Sequence, residues 1–266
     1  MAEKRDAVHD ANLAQIEADD RIVVLARTIR ASDPGAEMAL KSSAIDGSRF
    51  EETCLGRAVY RHGSVFQNTC EAPLWSHLEF SYFRRMVPSE VIRDLVIGEQ
   101  PQSIGLLRAE ILLTTPASFV LPRDWQGSTA RPERQASLEF IDVKPAHLGE
   151  YREIMREYCG PAATKLVQAG KFGTFRAMET AVVLHQAPEL KMQWNQIHLC
   201  ELEAEGFGGF GREFAAAMQD DPADADKISS AFAGLDRMRM VPGWTVNDVV
   251  LEEDAALALL GSAHHD

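Results

Sequence analysis

The 266-residue sequence predicts an α+β protein made of two fused β-α-β-β-α-β repeats. Each repeat is expected to supply half of one closed or nearly closed antiparallel β-barrel, with helices outside the sheets. Three observations predict this. The second half of the chain runs through strand and helix patterns in that order. A tryptophan-bearing strand recurs once in each half. One face of those strands is aromatic, polar and titratable, and two tryptophans in water would be unusual, so a second sheet is the simplest cover.

Residues 1–20 are charged and read as a polar segment, helical or frayed. Arg21 to Ala26 opens the first repeat, 21–121, as its first strand, and Asp33-Pro34-Gly35 breaks it with turn chemistry. A mixed stretch from Ala36 to Thr53 has helical character. Leu55 to Phe66 and Leu74 to Phe83 read as strands. Proline and an acidic residue at Val87-Pro88-Ser89-Glu90 suit a helix start, and Gly98 suits its end. Ser103 to Val120 is a long apolar strand with a bend at Pro116. Residues 122–135 hold Pro122, Gly127, Ser128 and Pro132 among charges and read as a linker.

The second repeat, 136–255, is more plainly patterned. Ser137 to Val143 alternates as a strand does. Leu148, Tyr151, Ile154, Met155 and Tyr158 recur at helical spacing, and the helix resumes after Gly160-Pro161 to reach Gln168. Thr174 to His185 and Gln193 to Glu201 read as strands. Phe207 to Met218 and Ala223 to Met238 read as helices. Pro242-Gly243 is expected to turn the chain into a last strand, Trp244 to Leu251, and 256–266 is a tail. The order β-α-β-β-α-β is that of the ferredoxin-like unit.

Composition narrows the function. A formal net charge of -13 repels a phosphate backbone and argues against a nucleic-acid partner or a polybasic membrane contact. No apolar stretch approaches the ~20 residues of a spanning helix, and no secretory signal is read, so the expected compartment is the cytoplasm. The four cysteines form no CxxC pair and read as free thiols. No Walker A, GxSxG or HExxH motif is present, and no zinc-ligand spacing is found.

The echo between the halves sets Leu74-Trp75-Ser76-His77-Leu78-Glu79-Phe80-Ser81 against Gln193-Trp194-Asn195-Gln196-Ile197-His198-Leu199-Cys200. Period-two alternation carried from the tryptophans puts Trp75, His77 and Glu79 on one face with Trp194, Gln196 and His198, and gives Leu78, Phe80, Ile197 and Leu199 to the helices. His198, Glu79 and His77 are therefore the candidate acid-base groups of a barrel interior. A neutral imidazole works near pH 7, and a walled-in carboxylate has a raised pKa. A structural histidine and a structural ion pair are the plain alternatives. Trp75, Trp194 and Gln196 would line a substrate site, although tryptophan is also ordinary core material. Arg176 and Glu179 point to opposite faces, so at most one faces inward. Arg176 could bind a carboxylate or phenolate, with surface placement the commoner outcome for a charged residue. Tyr60 occupies a comparable place in the first half.

Phe140-Ile141-Asp142-Val143-Lys144-Pro145, Glu179-Thr180 and Trp194-Asn195-Gln196-Ile197-His198-Leu199 resemble the dimeric α+β barrel superfamily, NIPSNAP/EthD-like, here as a tandem fusion. The resemblance covers about half the chain. It implies a small-molecule site between the sheets, and two repeats in one chain would replace the dimer such folds usually need; a homodimer remains open. The expected function is a cofactor-independent lyase or isomerase acting through acid-base residues on a small hydrophobic substrate, expected to be aromatic. A haem-binding barrel and a non-catalytic binding or assembly protein are the alternatives. Ser81-Tyr82-Phe83 through Ile104-Gly105-Leu106-Leu107 also resembles chorismate-lyase-type domains, a minor alternative.

Overall fold

The computed structural model describes residues 13–15, 21–31, 34–42, 54–68, 75–85, 92, 104–127, 134–203, 210–218 and 225–259. Among the described residues, nine strands form one antiparallel sheet: β1 (Leu13–Gln15), β2 (Val23–Ala31), β3 (Cys54–Asn68), β4 (His77–Phe83), β5 (Ile104–Pro122), β6 (Arg134–Val143), β7 (Phe172–Gln186), β8 (Gln196–Glu203) and β9 (Arg239–Glu253). The helices are α1 (Pro34–Ser42), α2 (Leu148–Ile154), α3 (Gly160–Gln168), α4 (Phe210–Met218) and α5 (Ala225–Met238).

The neighbour order is β5-β2-β4-β3 for the first half and β9-β6-β8-β7 for the second. Numbered within each half, both read fourth-first-third-second, the ferredoxin-like order. β3 pairs with β9 at one seam and β5 with β7 at the other, so eight strands close into a barrel. Closure leaves these eight strands without an open edge. β1 lies beyond them, on Val120–Pro122 of β5. The N-terminal segment expected to be helical or frayed thus contributes a short strand at Leu13–Gln15, and the helix expected around Glu90 lies outside the described residues apart from Ile92.

The barrel is filled by alternate residues of its strands. Val24, Ala26, Ala58, Tyr60, Leu78, Phe80, Tyr82, Leu112, Phe119, Leu138, Phe140, Met178, Ile197 and Leu199 form one buried cluster inside it. A second cluster lies outside the second half's strands, where Ile141, Phe175, Ala177, Cys200 and Leu202 meet Tyr151, Ile154, Ala163, Leu166 and Leu235 of the helices. The helical spacing read in the sequence builds this layer. Residues 155–159 widen by one residue into a π-helical turn between α2 and α3.

Two local features depart from the sequence reading. Pro242-Gly243 does not turn the chain. α5 runs directly into β9, and Gly243 pairs with Phe140 inside the strand. A Cβ there would lie 3.0 Å from Met192 Sδ and 3.6 Å from the Phe140 ring, so the missing side chain lets the core approach the backbone. The bend expected at Pro116 is a bulge in the β5–β7 ladder between Thr114 and Phe119, where Ala117 takes φ 59°. Among the described cysteines, Cys54, Cys159 and Cys200 are free thiols, as expected; Cys70 lies outside the described residues.

Candidate functional site

The strand faces fall opposite to the sequence expectation. Leu78, Phe80, Ile197 and Leu199 point into the barrel, and His77, Glu79, Gln196 and His198 point outward. Alternation cannot be carried from the tryptophans, because Trp75 and Trp194 precede their strands. Ser76 and Asn195 are bends, and β4 and β8 begin only at His77 and Gln196. Each bend resets the parity. Trp75 and Trp194 still reach the interior, on either side of Phe140 at centroid distances of 5.6 and 4.9 Å.

The outward groups are enclosed by their own partners. Glu79 accepts from Arg27 Nε at 2.7 Å and from Arg57, which also donates to the Leu40 carbonyl of α1. His77 contacts Ser76 Oγ at 3.0 Å and Glu37 at 3.4 Å. His198 is covered by α2: Nε2 lies 3.3 Å from Tyr151 Oη, Nδ1 lies 3.6 Å from Glu139, and Phe175 meets its ring edge-on. Burial depresses the His198 pKa below the ordinary histidine value, partly opposed by Glu139. Gln196 is buried on the same outer face. Glu79 and His198 therefore share no interior.

The groups that do converge inside include two the sequence reading named, Arg176 and Tyr60. Arg176 is wholly buried, contrary to the commoner surface outcome, while Glu179 faces out to Arg21 and Arg152. The Arg176 guanidinium donates to Asp254, to Tyr82 Oη at 2.8 Å and to Thr174 Oγ1 at 3.0 Å. Glu252 lies 3.4 Å away and Glu201 3.8 Å. Trp125 closes this end of the barrel: its Nε1 donates to Asp254 at 2.8 Å, and Arg134 lies over its ring at 4.8 Å. Arg134 is also 3.7 Å from Glu201.

Tyr60 joins two carboxyl groups. Its hydroxyl lies 3.4 Å from Glu201 Oε1 and 3.2 Å from Glu252 Oε1. Burial raises the Glu252 pKa well above the carboxylate range, and the nearby Glu201 and Asp254 raise it further against the pull of Arg176. Burial also raises Tyr60 well above the usual phenol value. Three carboxyl groups thus face Arg176 and Arg134, and a proton on one of them, which the raised pKa of Glu252 favours, would balance the formal charge. Glu252 Oε2 is buried with no hydrogen-bond partner, and Glu201 Oε2 has only the 3.7 Å ion pair with Arg134.

A second polar group lies at the other end, where Trp75 and Trp194 precede β4 and β8. Glu110 accepts from Arg108 at 2.7 Å, Thr180 Oγ1 at 2.8 Å and Trp194 Nε1 at 2.7 Å. Arg108 also donates to the Trp194 carbonyl at 2.9 Å and stacks 4.0 Å over the indole.

Sequence reasoning missed Arg108, Glu110, Glu201, Glu252, Asp254 and Tyr82. Arg108-Ala109-Glu110 carried a signal, since charges two apart within an apolar run occupy one strand face. Glu252-Glu253-Asp254 carried none, because an acidic run near a terminus reads as solvated surface.

Haem needs an axial ligand facing open space. His198 is packed between Tyr151 and Phe175, and both nitrogens of His77 and of His198 face partners. Neither place fits a porphyrin. Among the described residues, no group of three His, Cys, Asp or Glu side chains is arranged to hold a metal ion, and no helix is long and apolar enough to cross a membrane.

The closed antiparallel barrel with outer helices is the architecture of the dimeric α+β barrels, completed here within one chain. It is similar to the crystal structure of an anthrone oxidase-like protein, with a TM-score of 0.53 and 14% identity over 91% of this chain and 96% of that one. A variant of chlorite dismutase from Candidatus Nitrospira defluvii aligns with a TM-score of 0.45 and 11% identity over 89% of this chain and 93% of that one. No family model matches the sequence, and no curated protein matches it. At 14% identity, the likeness to the anthrone oxidase-like protein speaks to the fold alone.

Proposed function

We propose that the protein is an enzyme that moves protons on a small, largely apolar substrate inside the barrel, an isomerase or lyase by reaction class. The observation that supports this reading is the buried Glu201–Tyr60–Glu252 relay beside Arg176, with Glu252 Oε2 left without a hydrogen-bond partner. A buried polar atom without a partner costs ~1–3 kcal/mol, so a scaffold with only structural needs gains nothing from it.

The chemistry follows from the two carboxyl environments. A C–H bond next to a carbonyl gives its proton to Glu201. Arg176 favours the negative charge that forms, since it lies in a water-poor interior. Neutral Glu252 returns a proton, at another carbon in an isomerisation or to a leaving group in an elimination. Glu201 then passes its proton to the Tyr60 oxygen as Tyr60 gives its own to Glu252. The relay ends as it began, with no net change of charge.

An anthrone is a suitable probe, because loss of its methylene proton creates an aromatic, phenolate-type oxyanion. Exchange of that methylene into deuterium oxide, followed by NMR, reads proton transfer without knowledge of the natural substrate. Glu252→Gln and Tyr60→Phe are each expected to slow exchange about 100-fold or more with the fold retained. Exchange at the background rate in the unaltered protein, or unchanged exchange in both variants, would sink the reading.

A further inference from the structure

The geometry points to a binding site for the oxyanion of a flat aromatic ligand at the end of the barrel remote from Arg176. We infer it from an aromatic belt and from the unpartnered hydrogen-bonding groups along it. The inference rests on the reading that the barrel interior receives the substrate, and it names the chemical class received.

The two ends are separated along the strands. On β7, Arg176 and Thr180 are four residues apart, or ~13 Å. Trp194 lies just before β8, and Glu201 lies toward the far end of that strand. The belt runs His62, Trp75, Phe140, Trp194, Arg108. His62 meets Trp75 edge-on at 4.9 Å, Trp75 meets Phe140 at 5.6 Å, Phe140 meets Trp194 at 4.9 Å, and Arg108 covers Trp194 at 4.0 Å. Such faces suit an aromatic ring.

Four buried groups along this belt lack partners: Trp75 Nε1, Arg108 Nε, Thr28 Oγ1 and His62 Nε2. Trp75 and Arg108 are 3% and 2% exposed, so solvent does not satisfy them. Thr28 is the cross-strand neighbour of both Arg108 and Leu78, which places its hydroxyl in the same layer. The indole and guanidinium N–H groups can only donate. Glu110, the carboxylate of this end, is already occupied by Arg108, Thr180 and Trp194. What is missing is therefore an acceptor. A carboxylate, phenolate or enolate oxygen supplies it, with its ring against the belt. His62 Nε2 and Asn247 Oδ1, also unpartnered and opposite one another in the β3–β9 register, remain for a second polar substituent.

Tyr60 and His62 are successive inward positions on β3, only ~7 Å apart along the strand. A ligand held at the belt by its oxyanion would extend toward the relay. An enolate oxygen held by these donors would also be stabilised as it forms.

The test uses 2-naphthoate and the full-length protein, with tryptophan fluorescence and calorimetry as readouts. Saturable binding is expected, at least ~10-fold tighter than for uncharged 2-naphthalenemethanol. Trp75→Phe keeps an aromatic ring, though a smaller one, and removes the N–H, and is expected to weaken naphthoate ~10-fold with a smaller effect on the alcohol. Absence of saturable binding, equal affinity for acid and alcohol, or an unchanged constant in Trp75→Phe would overturn the site. Should Trp75→Phe fail to fold, the acid–alcohol comparison in the unaltered protein decides. Glu252→Gln separates the two proposals: it should retain naphthoate binding while losing proton exchange. Exchange without naphthoate binding removes this site and leaves the relay; binding without an effect of Glu252→Gln on exchange does the reverse.

Discussion

Arg176 is a permanent charge with no exposure to water, held by Asp254, Glu252, Tyr82 and Thr174. Removing one side of a buried ion cluster strands the other. Arg176→Met is expected to destabilise the fold by about 3–5 kcal/mol, read by denaturant titration. Glu252 has the opposite sign. Its folded pKa is raised, so its contribution is complete below the ordinary value of 4.5 and declines as pH rises toward the folded pKa. Across that window the difference in stability between the unaltered protein and Glu252→Gln should drift in favour of the glutamine by up to ~1.4 kcal/mol per pH unit. A difference independent of pH would show that Glu252 ionises normally. For His198, whose folded pKa is depressed, stability is present above the ordinary histidine value and is lost as pH falls. His198→Ala should therefore lower the melting temperature and flatten its acid dependence while proton exchange on the anthrone stays within a few-fold. At this scale the sequence was legible for Arg176 and Tyr60 as candidates. It was misleading for His198 and Glu79, whose side depends on bends at Ser76 and Asn195 that no pattern of hydrophobicity marks.

β5 is the element most shaped by a local irregularity. At its bulge Ala117 takes a left-handed φ, Ser118 Oγ donates to the Met155 carbonyl of the π turn at 2.9 Å, and Gly160 of α3 packs on the Ala117 carbonyl. A Cβ on Gly160 would lie 2.1 Å from that oxygen, and backbone must move to admit it. Gly160→Ala is expected to cost about 1–3 kcal/mol despite alanine's better helix propensity. Ala117→Gly should be neutral or stabilising, because glycine adopts the left-handed region freely. Thermal melts of the two variants check both signs. The elements themselves were largely readable, since periods of 2 and 3.6 separate β6, β7 and β8 from α2 and α3. Pro242-Gly243 misled because a proline–glycine pair has the same turn chemistry wherever it falls; only the close approach of Phe140 and Met192 explains it inside a strand.

The two halves carry the same strand order, and this repetition was the part of the whole molecule most visible in the sequence. Closure was foreseen, but its pairing partners were not: β3 with β9 and β5 with β7 join residues far apart in the chain, and local patterns do not encode them. Because the barrel closes within one chain, folding does not require a second copy. A melting temperature unchanged over ~100-fold dilution is the expected result; a concentration-dependent one would mean that association carries part of the stability.

The same seams have a consequence for a severed polypeptide. Strand pairing between the halves runs only through ladders on the two outermost strands of each, so each fragment alone would display both as unpaired templates. Such a fragment should be prone to aggregate, yet two fragments produced together should find one another and restore a native-like assembly without the peptide link between them.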